Sequence, residues 1–271
     1  MSLRWSAHIS WLFTESPYAE RVRCARRAGF DTIETAWPDA AEVAALIAAV
    51  AEQRVRVALL NAPTGRADLG ELGTVSDPRR RRETERGLLA AAELAHEVGA
   101  PIINVPLGTQ SSASSLARQH REAVDALRSL SQMAGERGLR LALEPLNELD
   151  NPGYIAPTVD AVKRLIHEIG SATVGILFDA YHVARSGLDP VAALRGCEGL
   201  VAHVQVSDLP DRRPPGEGPL DLWRFIDALA GCGYDGAIGL EYRPRGLTLE
   251  TLSFLRAARE PAPWPPGVEL A

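Results

Sequence analysis

Glu144, Asp179, Gln205 and Glu241 each stand at or near the end of a short apolar run that reads as a β-strand. Glu144 follows Leu139-Arg140-Leu141-Ala142-Leu143, and Asp179 ends Val174-Gly175-Ile176-Leu177-Phe178. Gln205 comes late in Val201-Ala202-His203-Val204, and Glu241 ends Ala237-Ile238-Gly239-Leu240. Residues two apart on a strand share a face. The opposite face carries Leu141, Leu143, Ile176, Phe178, Val204, Val206, Ile238 and Leu240, all bulky and apolar and suited to packing under helices. The polar residues therefore turn inward together. Lower on that inward face come Ala142, Ala237 and Gly239, small residues expected to leave room in a mouth. Carboxylates gathered this closely repel and raise one another's pKa values unless a cation lies among them. An oxygen-rich donor set without cysteine points to Mg²⁺ or Mn²⁺. Taken singly, each residue could be an ordinary polar cap on the helix that follows. Equal parity on consecutive strands argues for one shared site.

Two further residues fit that site. His182, in Asp179-Ala180-Tyr181-His182, places an imidazole just beyond a carboxylate, where contact with substrate is favoured over a structural role. Arg212, in Asp208-Leu209-Pro210-Asp211-Arg212-Arg213, is either a fork for an anionic substrate or a solvent-exposed side chain. His203 lies inward one layer below Gln205 and reads as a satisfied core histidine. Glu34 also faces inward, with its role open.

The elements that must carry these residues alternate along the whole chain. Val/Ile/Leu-rich runs at Ser6–Trp11, Thr32–Ala36, Val55–Asn61, Ile102–Val105, Leu139–Glu144, Val174–Asp179, Leu200–Val206 and Ala237–Tyr242 predict strands. Segments with helical spacing fall between them, including Ala40–Gln53, Arg79–Val98, Ser115–Arg137 and Thr158–Ile169. Glycine or proline marks most helix-to-strand joints. Eight strand–helix units of about 30 residues each predict an α/β protein with the (β/α)₈ architecture, whose active sites sit at the C-terminal rim of the strands. A doubly wound sheet needs a glycine-rich first turn, and residues 10 to 17 contain no glycine. The chain divides into one barrel over residues 1–259 and a proline-rich extension over 260–271.

Bulk composition narrows the function classes. A formal net charge of -6 over 271 residues argues against a nucleic-acid partner. The run Arg79–Arg82 alternates into Glu83 and Glu85 and reads as the solvated start of a helix. Three scattered cysteines suit a reducing cytoplasm, and no apolar run approaches the roughly 20 residues of a membrane span. A cytoplasmic enzyme is expected, with a homo-oligomer expected only by analogy with other small-substrate barrels.

Several motifs resemble the hydroxypyruvate isomerase family of xylose isomerase-like barrels. They are Leu143-Glu144-Pro145-Leu146-Asn147 with Asp150-Asn151-Pro152-Gly153-Tyr154, Asp179-Ala180-Tyr181-His182, Ala202-His203-Val204-Gln205-Val206 with Pro210-Asp211-Arg212, and Tyr234 through Pro244. Leu12-Phe13-Thr14-Glu15 and Arg26-Arg27-Ala28-Gly29-Phe30 are similar too. The resemblance implies that Glu144 and Glu241 are paired acid/base carboxylates and also metal ligands. It implies that Asp179 and Gln205 complete the metal shell, and that His182, Arg212 and Asp150 contact a small anionic hydroxy-carbonyl substrate. Sugar epimerases among these relatives usually carry histidine at the Gln205 position, so glutamine points to the hydroxypyruvate branch. The implied reaction interconverts hydroxypyruvate and tartronate semialdehyde through an enediolate, with a 2-oxo-tetronate isomerase or ketose 3-epimerase as the alternative. Two loops depart from the family pattern, Asn61-Ala62-Pro63-Thr64-Gly65-Arg66 and Gly216-Glu217-Gly218-Pro219-Leu220. Both are expected to shape the substrate mouth.

Overall fold

Eight parallel strands close on one another in sequence order, in a computed structural model that describes residues 4–257. They are β1 (Trp5–His8), β2 (Thr32–Thr35), β3 (Arg56–Asn61), β4 (Ile102–Asn104), β5 (Arg140–Leu143), β6 (Val174–Asp179), β7 (Val201–Val206) and β8 (Ile238–Leu240). The last strand pairs with the first, Trp5 opposite Ile238. The expected (β/α)₈ barrel is the observed one. The proline-rich extension over 260–271 lies outside the described residues.

Helices α1 (Tyr18–Arg27), α2 (Val43–Gln53), α3 (Arg81–Val98), α4 (Leu116–Glu136) and α5 (Val159–Ile169) carry the first five crossovers. Local chemistry sets their limits. Thr158 caps α5 by accepting from the Ala161 backbone N–H, and Gly170 closes it at φ 68°, in the left-handed region. The helix buries Val162, Leu165, Ile166 and Ile169, the spacing of one apolar face. Two short helices, α6 (Ala180–Arg185) and α7 (Pro190–Arg195), connect β6 to β7, and α8 (Leu222–Gly231) leads to β8. Among the described residues, no helix is long and apolar enough to cross a membrane.

The parity argument holds in three dimensions. Leu141, Leu143, Ile176, Phe178, Val204, Val206, Ile238 and Leu240 all join the large core between sheet and helices. A separate, smaller cluster of Leu59, Ala142, Leu177 and Ala202 fills the barrel floor. Ala202 reaches that interior because β7 carries an extra residue there. Val201 pairs with Ile176 while His203 pairs with Leu177, leaving Ala202 as the bulge.

The strands are shorter than the sequence runs suggested, chiefly at the rim. The fifth ends at Leu143 and the last at Leu240, so Glu144 and Glu241 stand one residue beyond their ladders. The second helix starts at Val43, not Ala40. The third starts at Arg81, after a 3₁₀ turn over Pro78–Arg80 capped by Asp77. Three arginines of the run are ion-paired with flanking acids, Arg79 with Asp77, Arg80 with Glu71 and Glu83, and Arg81 with Glu85.

Candidate active site

The rim brings the sequence-selected carboxylates together. Glu144 is 9% exposed, Glu241 7% and Asp179 0%. Asp179 ends β6 and caps α6, its Oδ1 accepting from the Tyr181 backbone N–H at 2.9 Å. That leaves Oδ2 for the mouth. Glu144 accepts through Oε2 from Asn104 Nδ2 at 3.0 Å. Ligand atoms of Glu144, Asp179 and His182 all lie within 4.8 Å of one another, a spacing that could hold a metal ion. Gln205, 1% exposed, stands opposite Asp179 in the β6–β7 register.

Arg212 provides positive charge at this centre. Its Nη1 donates to Asp179 Oδ2 at 3.0 Å and to Glu241 Oε2 at 2.9 Å, and Nη2 lies 2.8 Å from His182 Nε2. The guanidinium stacks 4.6 Å from the Tyr181 ring centroid and 5.3 Å from that of Trp11. With a side chain only 13% exposed, the solvent-exposed alternative for Arg212 is ruled out. The residue takes a left-handed φ of 58°, which turns the side chain off its loop and back over the mouth.

His182 is oriented by Asn147, whose backbone N–H donates to Nδ1 at 3.2 Å. Its Nε2 therefore faces Glu144, 3.6 Å away, and Asp179, 3.8 Å away. Asp150 lies at the edge. It accepts from Tyr181 Oη at 2.7 Å, Asn147 Nδ2 at 3.1 Å and Arg185 Nε at 3.2 Å, and so braces the ring beneath Arg212.

Burial governs the titration of the site. Burial, then the charges of Glu241 and Asp179, push the Glu144 carboxyl well above the usual carboxylate range. Burial raises Glu241 to about 7 even though Arg212 opposes it. His182 is lowered to about 4, again chiefly by burial, and stays neutral at pH 7. Burial also works against the charge on Arg212, but Glu241, Asp179 and Glu144 outweigh it and hold the guanidinium protonated. A carboxyl raised to about 7 beside a neutral imidazole is able to exchange a proton near neutral pH.

One sequence expectation is corrected. The gap at Gly239 is not open room in the mouth, because the Glu34 carboxylate fills it. His203, read as a satisfied core histidine, is 1% exposed and bonded to that same carboxylate. Sequence reasoning missed Asn104, Asn147, Trp11 and His8, whose Nε2 lies 3.5 Å from Glu241 Oε1. The signal for His8 and Asn104 lies in the same alternation, in the first and fourth strands. Asn147 lies in the Leu143–Asn147 motif, where sequence alone gives it no role.

A family model described as xylose isomerase-like TIM barrel matches residues 22–258. A hydroxypyruvate isomerase of Escherichia coli K12 is 28% identical over 246 residues, covering 91% of this chain and 95% of that relative. A 2-oxo-tetronate isomerase of Haemophilus influenzae is 26% identical over 253 residues, covering 93% and 98%. A Brucella melitensis crystal structure described as AP endonuclease, family 2, superposes with a TM-score of 0.90 at 26% identity, covering 95% of this chain and all of the other.

Proposed function

The chain belongs to the xylose isomerase-like TIM barrel family, and from that premise we propose a divalent-cation-dependent isomerase that interconverts hydroxypyruvate and tartronate semialdehyde. The carrying observation is the pair Glu144 and Glu241, both buried at one rim beside the fully buried Asp179.

The donor set fits a divalent cation. Three buried carboxylates line that rim, and the Gln205 carbonyl Oε1 is buried without a hydrogen-bond partner among the described residues. Glu144, Asp179, Gln205 and Glu241 would hold the ion: Glu144 and Asp179 belong to the group whose spacing suits one, and Glu241 lies beside Asp179, both accepting from Arg212 Nη1. Such an ion, when bound, polarises a carbonyl as a Lewis acid.

The residues account for the rest of the reaction. One glutamate takes a proton from the hydroxyl-bearing carbon of hydroxypyruvate, and that C–H electron pair becomes the double bond of an enediolate. A proton is then returned to the former carbonyl carbon, whose oxygen gains the proton lost by the original hydroxyl. The product is the aldehyde, with the same atoms as the substrate. Arg212, fixed between Trp11 and Tyr181, supplies charge for the substrate carboxylate, with Asp150 bracing Tyr181 from behind. His182, held neutral and aimed by Asn147, contacts the substrate oxygens.

The Haemophilus relative favours a second reading, a four-carbon 2-oxo acid handled by the same equipment. A DNA substrate, suggested by the Brucella description, is opposed by the net charge of -6. The test is turnover of hydroxypyruvate, 2-oxo-tetronate and a ketohexose by Mn²⁺-loaded protein. Hydroxypyruvate is expected to give the highest kcat/KM; a larger value for either competitor, or no turnover of any, contradicts the assignment.

A further inference from the structure

Glu34 is a fully buried acid with no part in the chemistry above. From β2 its side chain crosses the barrel interior to β7, where one oxygen meets His203 Nε2 and Oε1 accepts from Gln205 Nε2 at 3.2 Å. The crossing passes over β8 at Gly239, where a Cβ would overlap the Glu34 carboxylate. Position 239 is therefore small for a reason: any side chain there pushes the carboxylate aside.

A glutamine side chain has a donor end and an acceptor end of nearly equal shape. A carboxylate accepts only, so it selects the donor end. Turning the Gln205 amide over would set its carbonyl oxygen against Glu34 Oε1, oxygen against oxygen. The observed orientation leaves Gln205 Oε1 buried and without a partner among the described residues. His203 holds the second Glu34 oxygen, so the carboxylate is fixed at both ends.

We propose that Glu34 is a positioning residue that orients the Gln205 carbonyl toward the cation, with His203 anchoring it and Gly239 providing its passage. This rests on the reading of Gln205 as a ligand. It requires no proton transfer and no change of charge. It gives the open acid of the second strand a task in setting how tightly the ion is held.

The test measures Mn²⁺ affinity and the electron paramagnetic resonance spectrum of bound Mn²⁺ in the wild type, E34Q, G239A and the double variant, with thermal melts beside them. E34Q is nearly isosteric but presents either amide end to Gln205. G239A keeps the acid and displaces it. Each is expected to weaken Mn²⁺ binding about 10–100-fold, the usual effect of losing a partner of a metal ligand. Each is also expected to alter the bound-Mn²⁺ spectrum while melting within a few degrees of the wild type. The double variant is expected to bind no more weakly than G239A, because both changes remove one contact. Wild-type affinity and spectrum in E34Q overturn the proposal, as do additive losses in the double variant. E34Q decides alone if G239A fails to fold. A wild type that binds no Mn²⁺ overturns the cation site itself, a separate result from failure of the positioning role.

Discussion

Replacing Glu241 by glutamine tests whether the site stores electrostatic strain. The unfolded chain ionises this carboxyl near 4.5 and the folded protein near 7, chiefly because the group is buried. Between those values the folded state keeps a proton that the unfolded chain has released, so raising the pH favours unfolding. The penalty is absent below 4.5 and complete above 7. From those two values it amounts to about 1 kcal/mol at pH 5 and about 3 kcal/mol at pH 8. The amide carries no charge and escapes it. Chelator-treated E241Q is therefore expected to melt higher than the wild type at pH 8, by up to roughly 6–10 °C, and by much less at pH 5. Turnover should fall about 10²- to 10⁴-fold, the range for losing a general acid or base. Thermal melts at the two pH values and a hydroxypyruvate assay read both effects. An E241Q protein that melts below the wild type at pH 8 would refute the reasoning, since Arg212 would then more than offset the burial.

Three more outcomes follow from particular contacts. Asn104→Leu removes the donor that holds the Glu144 carboxyl down, so the acid limb of kcat/KM against pH should move to higher pH; an unchanged profile counts against that contact. Arg212→Met should raise KM for hydroxypyruvate about 10–100-fold, the loss of one or two charge-assisted bonds, and an unaltered KM would remove Arg212 from substrate binding. Tyr154→Phe leaves the buried Leu107 N–H without its acceptor and should destabilise by about 1–3 kcal/mol in urea, with turnover retained. A loss of turnover without loss of stability would contradict that purely structural role.

Much of this is legible in the sequence, for a definite reason. Period-2 alternation in β5 to β8 assigns each residue to one face, and a closed barrel converts "inward at the strand end" into "at the mouth". That is why Glu144, Asp179, Gln205 and Glu241 could be selected together. What alternation cannot give is reach across the barrel. Gly239 looked like empty space because the side chain that fills it comes from Glu34, some 200 residues earlier in the chain and on another strand. Arg212 was ambiguous for a similar reason. Its direction depends on a left-handed backbone and on stacking between Trp11 and Tyr181, neither of which has a local signature. The bulge at Ala202 also shifts the face of one residue without altering the pattern around it.

The most direct measurement strips the protein with a chelator and follows hydroxypyruvate turnover as Mn²⁺ is returned in known amounts. Activity should be absent in the stripped protein and rise in proportion to added ion until one equivalent per chain is bound. Full turnover in the stripped protein would contradict the account, as would equal Mn²⁺ uptake by a variant in which Glu144, Asp179 and Glu241 are all replaced by their amides.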